Sequence, residues 1–373
     1  MQARRFDRSF SVGLLISFLA AGCGGAAVMN DGATTEVGDM AGSIPPVIHG
    51  VDGVTVSTLA GSGTAGAQEG TGGSARFDNP VGVALVGASD LFITEYDGGR
   101  IRRLTRAGVT SPLTAQAGFV GCFGIMAAAS DRLLVETDFD ATGKKTATSG
   151  TLWNVALGSG AATQLVTGMG RPRGLVPASG GQTWVTDSRS HTISMMSASN
   201  GQLTRIAGAA DIPGYVDGNG GSARFNTPLG ATQLSDGSLI VADSANHCLR
   251  RVASDGSVTT FAGSSAAGMV DGAAADARFD RPIAVASDTA GNVYVSDAGS
   301  NHRIRRVTAA GQVATLAGNG TAGFADGAGA DAELYGQEGL AWEHTSEGDV
   351  LYIADGNGGD GSNYHRVRKL IIP

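Results

Sequence analysis

The sequence predicts an all-β protein, a six-bladed β-propeller built from four-stranded antiparallel blades. Two observations carry this prediction. Marker glycines recur every 55 residues, at Gly208, Gly263 and Gly318, and a fixed period of this length is typical of propellers and solenoids. Between them, short apolar runs are separated by Gly, Asp, Asn and Ser, which indicates strands joined by turns. Four such strands per unit make one propeller blade.

Six blades follow from counting the third strand of each unit. The second and third blades are degenerate, because the second lacks the Pro and the Ala-Arg-Phe of the repeat and the third places only 40 residues between Gly168 and Gly208. The third strands lie near 101–104, 153–157, 193–196, 249–252, 304–307 and 367–370.

The two ends of the chain predict how the ring closes. Residues 54–61 have the pattern of a last strand, although no unit precedes them. Residues 367–373 have the pattern of a third strand, and the fourth is missing. We therefore expect the N-terminal strand to complete the last blade, which removes an open sheet edge.

The first 22 residues have the three parts of a bacterial export signal. Three arginines within residues 4–8 precede an apolar stretch at 10–21, which is too short to span a bilayer comfortably. The ending Leu19-Ala20-Ala21-Gly22-Cys23 resembles the lipobox of bacterial lipoproteins. That resemblance implies cleavage before Cys23 and lipidation of its sulfur. An ordinary signal peptide or a lone membrane anchor is the alternative.

The expected domains are therefore a signal peptide at 1–22, a flexible tether at 23–50 and the propeller at 51–373. The tether is predicted from its small and polar residues. Gly24, where some lipoproteins have Asp, resembles the signal for sorting to the outer membrane. The expected location is the bacterial cell envelope, facing the periplasm or the cell surface, with membrane contact only through the N-terminal lipid.

Charge and cysteine content restrict the partners. Removing residues 1–22 takes away three Arg and one Asp, so the formal net charge changes from −8 to −10. An acidic chain with 6% aromatic residues argues against nucleic acid as a partner. Cys122 and Cys248 lie in different units, so a disulfide between them is only a minor alternative. We expect a monomer.

A recurrent Val-Ala/Ser-Asp followed by Asn-His-x-Ile/Leu-Arg resembles the NHL repeat, whose members form six-bladed propellers. The resemblance extends over residues 54–373 and is specific for the fold, but it says little about chemistry. The motif is clearest at Asp243…Asn246-His247…Leu249-Arg250, Asp297…Asn301-His302…Ile304-Arg305 and Asp355…Asn363…His365…Val367-Arg368.

An acidic residue that ends the second strand of the unit could form a carboxylate ring. Its place before a turn favours hydrogen bonds to backbone amides instead, and an arginine of the third strand can pair with it. We predict a structural role for these residues, namely Asp187, Asp243, Asp297 and Asp355, together with Arg250, Arg305 and Arg368; Asp138 is placed in the same series.

Two other sets invite a metal interpretation. Repeat-equivalent histidines are a blade width apart, so they cannot share one zinc ion, and we expect capping or packing within each blade. Asp-Gly loops lack the alternating ligands and the closing Glu of a calcium loop. We predict no cofactor and no metal, with calcium as a minor alternative. The sets are His191, His247, His302 and His365, and Asp217, Asp271 with Asp276, and Asp326 with Asp331.

The residue after the repeat proline is expected to point to the rim of the central channel. Four of these six are apolar, and Arg173 and Glu338 break the pattern. Departures from a repeat are where function is grafted, so we predict ligand binding by Arg173 and Glu338. A salt bridge or a solvated rim is the alternative. The six are Val81, Phe123, Arg173, Leu229, Ile283 and Glu338.

The function predicted from these features is a non-catalytic binding or scaffold module for a protein, peptide or glycan. The alternative is a propeller enzyme of the lyase or lactonase type with a metal in the channel. Propeller lyases similar to NHL proteins hold zinc through His beside the proline of the first strand. None of the six rim positions is His, and no catalytic residue is predicted.

Overall fold

A computed structural model describes residues 51–88, 90–115, 119–359 and 361–373. The predicted signal peptide, the whole of the predicted tether and the lipidation site Cys23 lie outside these residues. Within the described part, no helix is long and apolar enough to cross a membrane.

The described chain forms six antiparallel sheets, which we number as blades 1–6. From the innermost strand outwards, blade 1 contains Pro80–Val86, Asp90–Glu95, Arg100–Thr105 and Thr110–Ala115. Blade 2 contains, in the same direction, Cys122–Ala129, Arg132–Thr137, Gly150–Ala156 and Ala162–Met169. Blade 3 likewise contains Pro172–Pro177, Thr183–Asp187, Thr192–Met196 and Leu203–Ala207.

The second half of the ring is more regular. From the innermost strand outwards, blade 4 contains Pro228–Gln233, Leu239–Asp243, Cys248–Val252 and Ser257–Gly263. Blade 5 contains Pro282–Ser287, Val293–Asp297, Arg303–Val307 and Gln312–Ala317. Blade 6 contains Gly336–Thr345, Gly348–Gly356, His365–Ile372 and Thr55–Gly63.

The predicted all-β propeller of six blades is confirmed, with one addition. Blades 4–6 have a fifth, two-residue strand outside the four expected ones. These are Gly218–Asn219, Gly272–Ala273 and Gly327–Ala328. In the described parts of the chain four single-turn 3-10 helices connect strands, at Gly72–Ser74, Ser179–Gly181, Gly220–Ser222 and Ser244–Asn246.

Closure of the ring follows the prediction. The N-terminal strand pairs antiparallel with the last strand of the chain, with Val56 opposite Leu370 and Thr58 opposite Arg368. Its other edge pairs with the short strand Gly327–Ala328. The last blade is therefore built from both ends of the described chain, and its sheet has no open edge at the joint.

The apolar core lies between neighbouring blades. Strands there are buried on both faces, because each sheet is packed between two others. In the core between blades 4 and 5, for example, Ile240 and Val285 belong to one cluster with Phe279 and Val295. These side chains are at most 5% exposed.

Close backbone contacts set the width of the central channel. A Cβ atom at Gly82 would lie 2.3 Å from the carbonyl oxygen of Phe123 in the next blade, and one at Gly124 would lie 2.4 Å from that of Arg173. Only glycine allows the innermost strands to approach this closely. The channel cavity they enclose is about 100 Å³.

Candidate functional site

Four blades contain a buried ion cluster, which we call the clamp. In blade 4, Arg250 Nη1 lies 2.9 Å from Asp243 Oδ2, its Nη2 lies 2.6 Å from Asp217 Oδ1, and the guanidinium stacks over Phe225. The arginine thus joins the second and third strands to the loop before the blade. The other clamps are Asp297–Arg305–Asp271, Asp355–Arg368–Asp326 and Glu95–Arg102–Glu69.

The clamp carboxylates also accept backbone amides. Asn226 N donates to Asp243 Oδ1 at 2.7 Å, and Asp280 N donates to Asp297 Oδ1 at 2.7 Å. The loop aspartates Asp217, Asp271 and Asp326 are paired with arginines. Among the described residues no group of three or more His, Cys, Asp or Glu side chains is arranged to hold a metal ion.

Blades 2 and 3 lack the clamp arginine. Opposite Val135, in the register of Arg250, stands Trp153, whose Nε1 donates to Thr137 Oγ1 at 3.0 Å. In blade 3 that place is taken by Ser194, opposite Val185. Asp187 is held by backbone amides alone, from Gly170, Arg171, Arg189 and Ser190.

The placement of Asp138 in the series of strand-end carboxylates was wrong. Thr137 pairs with Cys122 in the register in which Asp243 pairs with Pro228, so Thr137 is the equivalent residue. Asp138 lies one residue later and contacts Arg173 of the next blade. The extra residue is invisible in sequence because blade 2 has no Pro to mark the register.

The histidines also differ from the expectation of packing within each blade. Nδ1 of three of them accepts a backbone amide of the following blade: His191 from Thr227 at 3.0 Å, His247 from Arg281 at 3.2 Å and His365 from Asn79 at 2.8 Å. His302 stacks on Tyr335 of blade 6. These histidines therefore connect neighbouring blades.

The six predicted rim positions lie at the start of the innermost strands, which we call the channel mouth. Val81, Phe123, Arg173 and Glu338 line the channel cavity directly. Blades 4 and 5 contribute Gly230 and Ala284 in place of the adjacent Leu229 and Ile283. The other residues that line this cavity are glycines and apolar residues.

Arg173 is bound inside the protein. Its Nη1 lies 2.6 Å from Glu136 Oε1 and 2.7 Å from Asp138 Oδ1, and its guanidinium lies 4.5 Å from the centre of the Phe123 ring. Its side chain is 9% exposed. This geometry corresponds to the salt-bridge alternative, although Arg173 still lines the channel.

Asp138 gathers further polar groups at the mouth. Tyr96 donates its hydroxyl to Asp138 Oδ2 at 2.6 Å, and Lys145 Nζ lies 2.8 Å from the same oxygen. Burial opposes ionisation of Asp138, but Arg173 and Lys145 outweigh it and hold the pKa of this carboxyl below its usual range. Burial raises the pKa of Glu136 to about 8, with Arg173 opposing and Asp138 adding to the shift.

Glu338 differs from Arg173. It lines the channel, is half-buried, and has no hydrogen-bond or ion-pair partner among the described residues. Burial raises the pKa of Glu338 to about 7, with the charge of Arg173 acting in the opposite direction and Asp97 in the same one. A partly desolvated carboxylate without a partner is costly in a folded protein.

The two remaining cysteines are free thiols. Cys122 and Cys248 are both buried, in blades 2 and 4, and they form no disulfide. Burial raises the pKa of both thiols, so neither is an activated nucleophile.

Comparison with known proteins identifies the repeat. The NHL repeat family model matches residues 225–252 and 279–307. These two segments, in blades 4 and 5, match NHL repeats. NHL repeat-containing protein 2 from Bos taurus is 34% identical over an alignment of 151 residues, which covers 37% of this chain and 21% of that protein. The alignment thus spans about a fifth of the relative's length.

Solved structures similar to this chain include binding proteins and enzymes. An auxiliary nutrient binding protein from Bacteroides ovatus has a TM-score of 0.66 at 19% identity, with 85% of this chain and 76% of that one covered. A gluconolactonase from Xanthomonas campestris has a TM-score of 0.55 at 15% identity, with 85% and 89% covered. At these identities the likeness concerns the fold alone.

Proposed function

We propose that this protein is a non-catalytic binding module of the bacterial cell envelope that holds a protein, peptide or glycan partner at the channel mouth. The observation that carries the proposal is the unpartnered carboxylate of Glu338 on the channel wall. In four blades, carboxylates are paired with the arginine of an internal clamp. The carboxylate of Glu338 has no such partner among the described residues and therefore departs from this pattern. Such departures mark functional positions.

Glu338 favours a partner that presents a basic group. A lysine or arginine side chain inserted into the mouth would supply the missing ion pair in a desolvated setting, where charge-assisted hydrogen bonds are strong. The cavity of about 100 Å³ suits the end of a side chain and not a whole small molecule. The formal net charge of −10 without residues 1–22 attracts basic partners over longer distances.

Arg173 has a supporting role in this proposal. Its guanidinium is held by Glu136 and Asp138, so it sets the charge of the mouth and the orientation of Phe123 and is not free to bind an anion. We therefore expect the partner to bind to Glu338 and not to Arg173.

The test uses the full chain and three tripeptides, acetyl-Gly-Lys-Gly amide and its Gln and Glu counterparts, in calorimetric titrations at pH 8. We expect saturable binding of the lysine peptide only, weakened at least tenfold by Glu338→Gln. Glu333→Gln, a change of the same type outside the channel, is the matched control. Equal binding of all three peptides, or full binding by Glu338→Gln, would contradict the proposal.

A propeller enzyme is the second candidate. The raised pKa values of Glu136, about 8, and Glu338, about 7, favour it, because carboxyl groups that titrate near neutrality suit general acid–base chemistry. Metal analysis of the purified protein and assays with lactone substrates test this candidate. Turnover lost in both Glu136→Gln and Glu338→Gln would move the protein to the enzyme class.

The envelope location rests on Cys23 and needs its own experiment. Two or more lipid chains on this residue would hold the protein firmly at the membrane, and the tether would keep the propeller clear of the surface. Metabolic labelling with radioactive palmitate is expected to be abolished by Cys23→Ser. Persistent labelling of that variant would defeat the lipoprotein proposal.

A further inference from the structure

Blade 3 is flanked by two grooves on the face opposite the channel mouth. The groove towards blade 4 encloses about 730 Å³ and the groove towards blade 2 about 340 Å³. Both are lined by Ala178, Gln182 and Ser197 at the end of blade 3. We call the two grooves together the blade-3 strip. Their volumes lie within the usual range of small-molecule sites.

Blade 3 has no side-chain bridge to either neighbour on this face among the described residues. Three of the other four pairs of neighbouring blades are bridged there, by Thr232 and Ser287 at 2.8 Å, by Tyr294 and Asp349 at 3.5 Å, and by Arg106 and Glu343 at 2.6 Å. Among the residues in the structure, no such side-chain bond joins blade 3 to blade 2 or blade 4 on this face. The grooves are left open where those bridges are missing.

The chemistry of the larger groove is uncharged. Its only charged lining residue in the described chain is Asp236, which is paired with Arg251 and Ser238. The polar lining otherwise consists of amides and hydroxyls, which can both donate and accept hydrogen bonds. These are Ser179, Gln182, Ser197, Gln202, Thr204, Gln233, Ser235 and Ser254.

An apolar floor accompanies these polar groups. Trp184 lies at the base of the larger groove, with Met195, Ile206 and Leu234 around it. Two side chains that line the strip carry buried polar atoms without a hydrogen-bond partner in the described chain, Trp184 Nε1 and Asn154 Oδ1. Unsatisfied buried polar atoms are rare in native proteins and mark places where another molecule or water is accommodated.

From this lining we infer that the blade-3 strip binds a neutral oligosaccharide. Sugar rings have C–H faces that pack on aliphatic side chains, and the partly buried Met195, Ile206 and Leu234 offer such contacts here, whereas Trp184 is 2% exposed and lies beneath them. Sugar hydroxyls both donate and accept, which matches amides and Ser or Thr hydroxyls. A charged ligand would find no unpaired opposite charge among the described residues of the larger groove. Because the two grooves share one wall, a chain of several sugars fits better than a single ring. The inference is independent of the channel mouth.

The test measures binding of neutral hexasaccharides of glucose, xylose and N-acetylglucosamine to the full chain by calorimetry, with hexagalacturonic acid as the anionic counterpart. We expect at least one neutral hexasaccharide to bind saturably, at least tenfold more tightly than its disaccharide and than hexagalacturonic acid. Failure of all the neutral hexasaccharides to bind, or equal binding of the anionic one, would overturn the inference.

Variants locate the site. Gln182→Ala combined with Gln202→Ala is expected to weaken binding at least tenfold without changing the melting temperature, because both side chains are exposed and form no hydrogen bond with described residues. Gln312→Ala, an exposed glutamine on blade 5, is the matched control and should bind within twofold of the wild type. Unchanged binding by the double variant, or loss of binding in Glu338→Gln instead, would overturn the assignment to this strip.

Discussion

In blade 5 the carboxylate that ends the second strand is held by an arginine of its own blade, whereas in blade 2 the equivalent residue is Thr137 and the nearby carboxylates face the next blade. Asp297 and Arg305 are 2.8 Å apart and fully buried. In blade 2, Thr137 and Trp153 form a neutral pair in that place. Glu136 and Asp138 instead bind Arg173 of blade 3 at the channel mouth.

The end of the second strand thus has two roles in this molecule: in some blades its charged residue stabilises the blade, and in blade 2 the neighbouring charges bind across to the next blade. The clamps of blades 1, 4, 5 and 6 stabilise each blade internally, and their repetition follows from a shared structural task. In blade 2 the carboxylates Glu136 and Asp138 bind Arg173 of blade 3, which lines the channel, whereas the strand-end carboxylate of blade 3 is held by backbone amides. Blade 6 combines both, because it keeps its clamp and adds Glu338 to the mouth. The regular positions therefore specify the fold and the departures specify the candidate site.

The largest expected effect is at a clamp. Arg305→Met leaves the buried carboxylates of Asp297 and Asp271 without their partner, and breaking a buried pair in this way costs about 3–5 kcal/mol. Urea unfolding at pH 7 measures this loss. Arg306→Met, at the next residue, which has no ion pair within the described chain, is expected to cost less than about 1 kcal/mol. A similar loss of unfolding free energy in both variants would show that the clamp arginine stabilises the fold no more than an arginine without an ion pair.

The cluster at the mouth should respond more weakly and with a different pH dependence. Arg173→Met removes the charge that opposes the raised pKa of Glu136, so ionisation of this buried carboxyl becomes more costly. Since its folded pKa exceeds the value of the unfolded chain, the destabilisation grows as the pH rises. Because Glu136 ionises in the wild type only as the pH rises through about 8, we expect the loss to be about 2 kcal/mol larger at pH 9.5 than at pH 5.

The control for Arg173 is an exposed ion pair. Arg189 and Asp211 are 48% and 72% exposed, and Arg189→Met should change the free energy of unfolding by less than about 1 kcal/mol at either pH. A loss in Arg173→Met that is the same at pH 5 and pH 9.5 would contradict the account of Glu136.

The neutral pair of blade 2 should give a smaller effect. Thr137→Val keeps the side-chain shape but removes the acceptor of Trp153 Nε1, which costs about 1–2 kcal/mol for an unsatisfied buried donor. Thr163→Val, on the exposed outermost strand of the same blade, should stay within about 0.5 kcal/mol of the wild type. Equal free energies of unfolding for the two variants would show that the Thr137–Trp153 pair does not stabilise blade 2 in the way the clamp stabilises the other blades.

Sequence periodicity was sufficient for the ring but not for the mouth. The 55-residue repeat and the unpaired strand patterns at the two ends predicted six blades and their closure, since both depend on local patterns. Arg173 was placed at the start of an innermost strand by the repeat proline before it, whereas Glu338 follows Gln337 and was placed by the spacing of the repeat.

What sequence could not supply were contacts between blades. The binding of Arg173 to Glu136 and Asp138, and that of His191 to Thr227, connect units that are far apart in the chain. The register of blade 2 was misassigned by one residue at Asp138 because its Pro is missing. The blade-3 strip has no sequence signal, because it depends on the absence of side-chain bonds between blade 3 and its neighbours, and such contacts cannot be read from the sequence.

The most direct test of the central claim is the stability of Glu338→Gln as a function of pH. Because the pKa of Glu338 is raised from 4.5 to about 7 in the fold, its ionised form destabilises the protein, and stability is lost as the pH rises through 7. Glutamine resembles the protonated form. We expect variant and wild type to have the same free energy of unfolding at pH 4.5. At pH 8 we expect that of the variant to be about 1 kcal/mol higher, a figure that discounts the pKa shift of Glu338 for its contact with solvent. A variant that is less stable than the wild type at pH 8 would show that Glu338 has a structural partner and would contradict its assignment to ligand binding.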